Sequence, residues 1–165
     1  MILTILNLII VSLVLWLPLF AYGRRSRRMV VFCQRMARSE NNRKLFGYGL
    51  LILVLMFHAT YHGICMGDFG PYASTAIALW LVSPKRTIRL LRDIRASQSV
   101  LAFIGILALI ATLAPGMYSV GVTLGYVLLA AVFYPSKTIE EHVKDNPVYT
   151  NYDELEEETV KRYFA

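Results

Sequence analysis

The positive charges of this chain are confined to three segments, and this restriction limits the possible folds more than any other feature. All 17 Lys and Arg residues lie in 23–44, 85–98 or 136–165. The stretches between these segments are apolar, and Asp68 is their only acidic residue. Polytopic membrane proteins keep cationic connections on the cytoplasmic side in the same way. The pattern predicts an all-α, polytopic integral membrane bundle whose three basic segments share one side.

Composition agrees with burial in a bilayer. The 165 residues are 56% hydrophobic with a mean hydropathy of +0.51, which is high for an ordinary globular surface. The net charge of +6 fits either nucleic acid or anionic lipid. Because the cations flank apolar runs and no aromatic-interleaved basic patch is present, we expect lipid and no nucleic acid. The residues expected to contact anionic lipid are Arg24, Arg25, Arg27, Arg28, Lys85, Arg86, Arg89 and Arg92.

Five apolar runs are predicted to cross the membrane. They cover approximately 1–22, 45–66, 69–84, 99–114 and 117–134. The first run has no cation before it and several Arg residues after it, so we expect a retained anchor with its N-terminus outside. The third run is short, and it either crosses in a tilted or thin setting or forms a re-entrant hairpin. Crossing is favoured, because a hairpin would leave the cations that follow it outside.

Two shorter segments are predicted to lie in the cytoplasmic interface. Residues 29–36 and 85–96 place apolar side chains at helical spacing, with Arg residues on the other faces. The polar residues of 39–42 and 97–99 are expected to cap the helices that follow them. With five crossings, the tail 136–165 lies in the cytoplasm, and a bacterial inner membrane or its equivalent is the expected location.

The second predicted span carries the most suggestive side chains. His58, His62 and Cys65 recur at i, i+4 and i+7 on one helix face, and Asp68 follows them. Three hypotheses stay open: hydrogen-bonded structural histidines near the outer interface, proton or small-ion handling, and a metal or haem site. The first is favoured, since His58 lies about 20 Å along the helix and no second helix supplies a histidine. We therefore expect no cofactor.

Small residues suggest close packing of the last two helices. Gly121 and Gly125 form a GxxxG motif, and a second stripe recurs every third residue on the preceding helix. That stripe consists of Ala102, Gly105, Ala108 and Ala111. The motif serves either contact between these two helices, which is favoured, or contact with another subunit.

The C-terminal tail has eight acidic and four basic residues. Residues 153–163 are expected to form a helix, with Glu157 and Glu158 each four residues before a cation. Three roles stay open for this tail: docking on the basic segments, binding a cytoplasmic partner, or remaining solvated. Partner contacts would involve Glu154, Glu157, Glu158, Tyr149 and Tyr152. The two tyrosines also match short trafficking patterns, NPxY and Tyr-x-x-apolar, which arise readily by chance.

The function predicted from these patterns is non-enzymatic. The sequence has no phosphate-binding loop, nucleophile elbow, Cys-x-x-Cys or HExxH motif. We expect a subunit of a homo-oligomer or larger membrane complex, with a pore-lining, scaffold or anchor role. Proton or ion transport through His58 and His62 is the main alternative. A redox subunit holding metal or haem, and a phage- or plasmid-type permeabilising or exclusion factor, are further alternatives.

Overall fold

The structure, a computed structural model, describes residues 27–62 and 69–135, the first five of them by their backbone alone. This part of the chain contains six helices and no strands. They are α1 (Arg27–Arg38), α2 (Glu40–His62), α3 (Gly70–Leu81), α4 (Pro84–Ala96), α5 (Gln98–Leu113) and α6 (Tyr118–Phe133). The predicted first span, Arg24, Arg25, Cys65, Asp68 and the tail with Tyr149, Tyr152, Glu154, Glu157 and Glu158 lie outside the described residues.

The helices differ in their capacity to cross a bilayer. By length and composition, the described residues contain one helix that can span a membrane, α2, with 23 residues. The number becomes two if α4 and α5, which meet at an angle of 106°, are counted together as one bent span. Helical rise gives α2 about 35 Å, α5 and α6 about 24 Å each, and α3 about 18 Å, against about 30 Å of hydrocarbon.

The corner between α1 and α2 is held by Ser39, which lies between the two helices, and by Arg43 of α2. The Ser39 hydroxyl accepts a hydrogen bond from the Asn42 backbone N–H at 3.4 Å, which caps the start of α2. The Arg43 guanidinium donates to the carbonyls of Met36 at 3.2 Å and Ala37 at 2.8 Å. A cation on the last carbonyls of a helix satisfies groups that have no partner within that helix. The first turn of α2 therefore fixes the end of α1.

The start of α4 packs against the start of α2 at the same end of the bundle. The buried Thr87 hydroxyl donates to the Leu81 carbonyl at 2.9 Å. Its methyl group lies 3.6 Å from the position that a Cβ of Gly47 would take. Leu91 and Ile94 bury the same face of α4, whereas Lys85 and Arg86 are exposed. The basic ends of α1, α2 and α4 are thus gathered together.

The opposite end is closed by two turns. The Gly70 N–H donates to the Gly116 carbonyl at 2.7 Å, which joins the start of α3 to the turn between α5 and α6. Gly116 has a φ of 71°, a conformation that side chains with a Cβ rarely adopt. A Cβ at Gly70 would lie 2.7 Å from the Ser119 hydroxyl. Both glycines are therefore required by this closure.

Helix α6 forms the centre of the bundle, because it contacts α2, α3, α4 and α5. Small and polar side chains line much of its buried surface. The buried residues are Ser119, Val120, Gly121, Val122, Thr123, Tyr126, Val127, Ala130 and Ala131. Large apolar side chains instead project outward from α2, α3 and α5. They include Leu45, Ile52, Met56, Leu79, Trp80, Phe103, Ile106, Leu109 and Leu113.

Candidate functional site

The site begins with the rotation of α2 about its axis. Val54, Phe57 and Tyr61 are buried at helical spacing. His58, next to Phe57, therefore lies at the edge of the buried stripe and is half-buried. On this edge it meets α3, which packs against α2. One of the two predicted histidines of α2, His58, therefore lies at the contact between α2 and α3.

His58 connects α2 to two hydroxyls of α3. Its Nδ1 lies 3.1 Å from the Ser74 Oγ, and its Nε2 lies 2.8 Å from the Thr75 Oγ1. Both hydroxyls also lie within hydrogen-bond distance of the Pro71 carbonyl, at 3.1 Å for Ser74 and 2.6 Å for Thr75. Ser74 is buried and Thr75 is half-buried. One imidazole, two hydroxyls and one carbonyl thus form a closed cluster, named here the His58 cluster.

The number of protons in the His58 cluster determines how many of its hydrogen bonds are made. Each hydroxyl has one proton to donate. If both donate to the Pro71 carbonyl, both ring nitrogens of His58 must donate, so the ring carries a positive charge. A neutral ring has one acceptor nitrogen, and the hydroxyl facing it then leaves Pro71. The charged ring makes four hydrogen bonds in this geometry and the neutral ring three.

His62, one turn after His58, is outside the cluster. Its side chain is exposed, and the two ring centroids are 6.1 Å apart. Within residues 27–62 and 69–135, no three side chains of the His, Cys, Asp and Glu types come together as metal ligands. The two remaining residues of the predicted set, Cys65 and Asp68, lie outside this part. Cys33 of α1 is buried.

Beside the His58 cluster, α2 packs against α6 through aromatic rings. The rings of Phe57 and Tyr61 stack with centroids 5.8 Å apart, and Tyr61 lies 5.6 Å from Tyr118 of α6. Phe57 also meets Tyr126 edge to face at 6.0 Å. These contacts pack α2 against α6 through large rings. One face of α2 is therefore aromatic, and its edge carries the polar contact to α3.

The small-residue motifs lie between α5 and α6. A Cβ added at Gly121 would lie 2.5 Å from the Thr112 backbone nitrogen and 2.8 Å from the Ala108 carbonyl oxygen. Gly105 faces the Leu128 side chain, with 3.7 Å to an added Cβ. Ala108 and Ala111 are buried, Gly125 is half-buried and Ala102 is exposed. The backbones of α5 and α6 therefore approach too closely at Gly121 to leave room for a Cβ.

Four of the cations predicted to contact lipid lie along one side of α4. Lys85, Arg86 and Arg89 are exposed, and Arg92 is half-buried. Arg27 and Arg28 fall in the first turn of α1. The exposed cations of α4 face away from Leu91, which is fully buried. This is the distribution of an amphipathic helix with one apolar and one charged face.

The sequence indicated hydrogen-bonded histidines, but it did not predict the partners of His58. Ser74 and Thr75 are adjacent hydroxyl residues within the apolar run 69–84. Two neighbouring hydroxyls in such a run indicate a polar contact between helices, because a polar side chain in an apolar environment needs a hydrogen-bond partner. What the sequence did not reveal is that α3 crosses α2 at the level of His58.

Searches of protein-family models, curated proteins and solved structures found no match to this chain.

Proposed function

We propose that this chain is an integral membrane protein with five crossings, its N-terminus outside and its tail in the cytoplasm. The observation that carries the proposal is the outward orientation of large apolar side chains on three helices. Leu79 of α3 and Leu109 of α5 expose 68% and 66% of their surface, and Met56 of α2 exposes 66%. Apolar surface of this extent is rare on a soluble monomer and is what a bilayer would cover.

Helix α2 supports this proposal over a soluble helical fold. Only 28% of its most apolar window is buried within the described protein. An apolar helix in a soluble protein is buried on most of its surface, because exposed side chains would contact water. A helix that is apolar all round and only partly covered by protein fits a lipid environment.

The buried residues support it as well. Ser74, Thr87, Ser119 and Thr123 are the buried polar residues of the described chain. Thr123 donates to the Ser119 carbonyl one turn earlier at 2.7 Å. Membrane helices associate through small residues and interhelical hydrogen bonds, because lipid offers little hydrophobic drive between them. Small and polar residues inside, with large apolar residues outside, match that rule.

The proposal of five crossings is supported by the positions of the turns at the two ends of the bundle. The basic corner of α1 and α2 and the start of α4 lie at one end, and the turn at Gly116 lies at the other. The 106° bend between α4 and α5 suits an amphipathic helix that lies along the interface before the chain crosses again. The 16-residue helices α5 and α6 suit a crossing in a locally thin bilayer.

Within the membrane, we assign the protein a non-enzymatic role as a subunit of a homo-oligomer or larger complex. Two surfaces are available to partners: the outward face of α5 and the charged faces of α1 and α4. Its location would be a bacterial inner membrane or its equivalent. Mass measurement in mild detergent tests the assembly, and a strict monomer without bound partners would contradict it.

The crossings are tested separately by labelling single cysteines in intact cells with a membrane-impermeant maleimide. Substitutions at Val82 and Ala165 should be protected, and one at Pro115 should be labelled. A five-crossing chain requires all three results. Labelling of Val82→Cys from outside would overturn the topology, and protection of Pro115→Cys would do the same.

A second candidate function, proton or small-ion transfer, is favoured specifically by the His58 cluster. Its hydrogen bonds rearrange when a proton is gained or lost, which is the behaviour needed at a transfer site. Proteoliposome flux should fall in His58→Gln and stay unchanged in His62→Gln, since His62 lies outside the cluster. Absence of flux in the unsubstituted protein, or flux that ignores His58→Gln, would leave His58 as a structural contact between helices.

A further inference from the structure

Exposed side chains follow the contact between α2 and α3 on its outward side. Lys44, Tyr48 and Leu55 recur at i, i+4 and i+11, so they share one side of α2. His58, which contacts α3, lies within about 40° of Lys44 around the same helix. Tyr48 and Leu55 are exposed. The side of α2 that borders α3 therefore presents large apolar side chains outward.

Helix α3 supplies the other side of this strip. Leu79 and Val82 follow Thr75 at i+4 and i+7, so all three share one side of α3. Thr75 contacts His58 of α2, which places this side of α3 along α2. Leu79 and Val82 are exposed. The four exposed side chains, Tyr48, Leu55, Leu79 and Val82, are named here the α2–α3 seam.

Two lysines lie at the basic end of the seam. Lys44 precedes the seam residues of α2 by one turn, and Lys85 follows Val82 by three residues. Lys44 pairs with Glu40 at 2.8 Å, and the charges of Arg43 and Lys85 also act on this carboxylate. Three cations and one carboxylate leave an excess of two positive charges. The basic end of the seam therefore stays positive although Glu40 is paired.

The length of the seam matches one leaflet of a bilayer. Lys44 and Leu55 are about 16 Å apart along α2, and half of a hydrocarbon core is about 15 Å thick. The His58 cluster, which is polar, lies beyond Leu55 and ends the apolar strip there. The seam therefore has the length of one acyl chain, with positive charge where the headgroup of that lipid would lie.

We infer that the α2–α3 seam binds an anionic phospholipid, with its phosphate at Lys44 and Lys85 and an acyl chain along the apolar residues. Basic sites between membrane helices on the cytoplasmic side bind anionic headgroups in this way. A soluble acidic partner would match the lysines but leave Leu79 and Val82 uncovered. A zwitterionic lipid would match the apolar residues but not the excess of positive charge. This inference rests on the proposed membrane insertion.

Lys44 is the residue that separates this site from general attraction of the basic segments to lipid. It was absent from the cations expected to contact anionic lipid. Its position near Lys85 depends on the packing of α4 against α2, which brings Thr87 beside Gly47. The site therefore combines one lysine from each of two helices that are far apart in the sequence.

Quenching of a single tryptophan by brominated lipids tests the site. The reporter Tyr48→Trp is made in a chain with Trp16→Phe and Trp80→Phe, which removes both native tryptophans. Phosphatidylcholine vesicles contain an equal share of brominated phosphatidylcholine or brominated phosphatidylglycerol. Bromine occupies the same carbon in both lipids, so the depth of the tryptophan cancels in the ratio. We expect about fivefold preference for phosphatidylglycerol, which corresponds to about 1 kcal/mol. The matched reporter Ile106→Trp, on the outward face of α5, should show no preference.

Charge variants assign the preference to the two lysines. Lys44→Gln combined with Lys85→Gln should remove it, whereas Lys44→Arg combined with Lys85→Arg should keep it. Arg35→Gln is the matched control, because Arg35 is an exposed cation of α1. Helix α1 packs on Phe46, about 200° around α2 from Lys44. An equal loss of preference in Arg35→Gln would mean general attraction to the basic end, and the site would be overturned.

The remaining outcomes separate this inference from the proposed function. Val82→Trp reads the seam from α3 and should show the same preference as Tyr48→Trp. Equal quenching by the two lipids at both reporters would leave the lysines to a soluble anionic partner; the inference would fail while insertion stands. If no reporter is quenched by either lipid, Ile106→Trp included, insertion and this inference fail together.

Discussion

Helices α5 and α6 have the same length and nearly the same apolar character, yet α5 lies at the edge of the bundle and α6 at its centre. Both contain 16 residues. Leu113 of α5 exposes 85% of its surface, whereas Ala131 of α6 exposes none. Hydrophobicity therefore does not decide which helix is interior. The small and polar residues of α6 do, because they allow neighbouring backbones to approach.

This arrangement is the reverse of the one expected for a protein in water. In a soluble protein the helix with the largest apolar side chains would be buried, since burial of that surface stabilises the fold. Here Phe103, Ile106 and Leu109 face outward while Gly121 and Thr123 face inward. The comparison therefore distinguishes an edge with outward apolar side chains from a tightly packed centre. Two substitutions test this distinction directly and two more test contacts outside it, and all four follow in order of decreasing effect.

The largest effect is expected at the edge. Ile106→Arg places a charge at the middle of α5, where insertion costs about 3 kcal/mol. We expect the membrane-associated yield to fall sharply, while the size control Ile106→Phe remains near the unsubstituted level. Fractionation by alkaline extraction measures both. A soluble, folded Ile106→Arg protein would mean that this face of α5 contacts water.

The next effect is expected at the centre. Gly121→Leu forces a side chain against the backbone of α5, and overpacking of this kind costs about 1–3 kcal/mol. The control Ala102→Leu enlarges an exposed position of α5 and should change stability little. Thermal unfolding in detergent compares the two. Equal effects would remove the distinction between centre and edge.

A smaller loss is expected when the contact between α2 and α3 is removed. His58→Phe keeps an aromatic ring but gives up two interhelical hydrogen bonds, each worth about 0.6 kcal/mol in a membrane. The total should be about 1 kcal/mol, and His62→Phe should be neutral because His62 is exposed. Chemical unfolding in mixed micelles measures the difference. A neutral His58→Phe would show that the cluster does not stabilise the bundle.

The smallest effect is expected at the contact between α1 and α2, which lies outside both of these regions. Arg43→Met removes the cation from the end of α1, where such a charge contributes about 0.5 kcal/mol. We expect faster amide exchange in the last turn of α1 with the rest of the bundle unchanged. Lys44→Met is the control, since Lys44 pairs with Glu40 within its own helix at 2.8 Å. Equal exchange in both variants would contradict the assigned role of Arg43.

The helical character of the chain followed directly from its sequence, and the six described helices confirm the all-α prediction. The Ser39–Asn42 and Ser97–Ser99 caps lie where the polar residues indicated, with Ser97 accepting from the Val100 N–H at 3.4 Å. Capping depends on residues a few positions apart, so local sequence is sufficient to predict it. The buried face of 85–96 was predictable for the same reason.

The contacts between helices were harder to predict. The choice of Ser74 and Thr75 as partners of His58 depends on where α3 crosses α2, and no local pattern encodes that crossing. The GxxxG motif left open whether Gly121 meets α5 or another subunit, because both contacts need the same small residues. The structure assigns Gly121 to the contact with α5, because Ala108 and Thr112 of that helix lie directly beside it.

Lipid contact by the outward face of α5 underlies the proposed function, and a spin label at Leu109 tests this contact directly. In a membrane sample, power saturation compares collisions of the label with oxygen, which concentrates in the bilayer, and with a water-soluble nickel chelate. We expect that Leu109→Cys favours oxygen, and that Arg89→Cys on the charged side of α4 favours nickel. A Leu109 label that favours nickel would contradict lipid contact by this face.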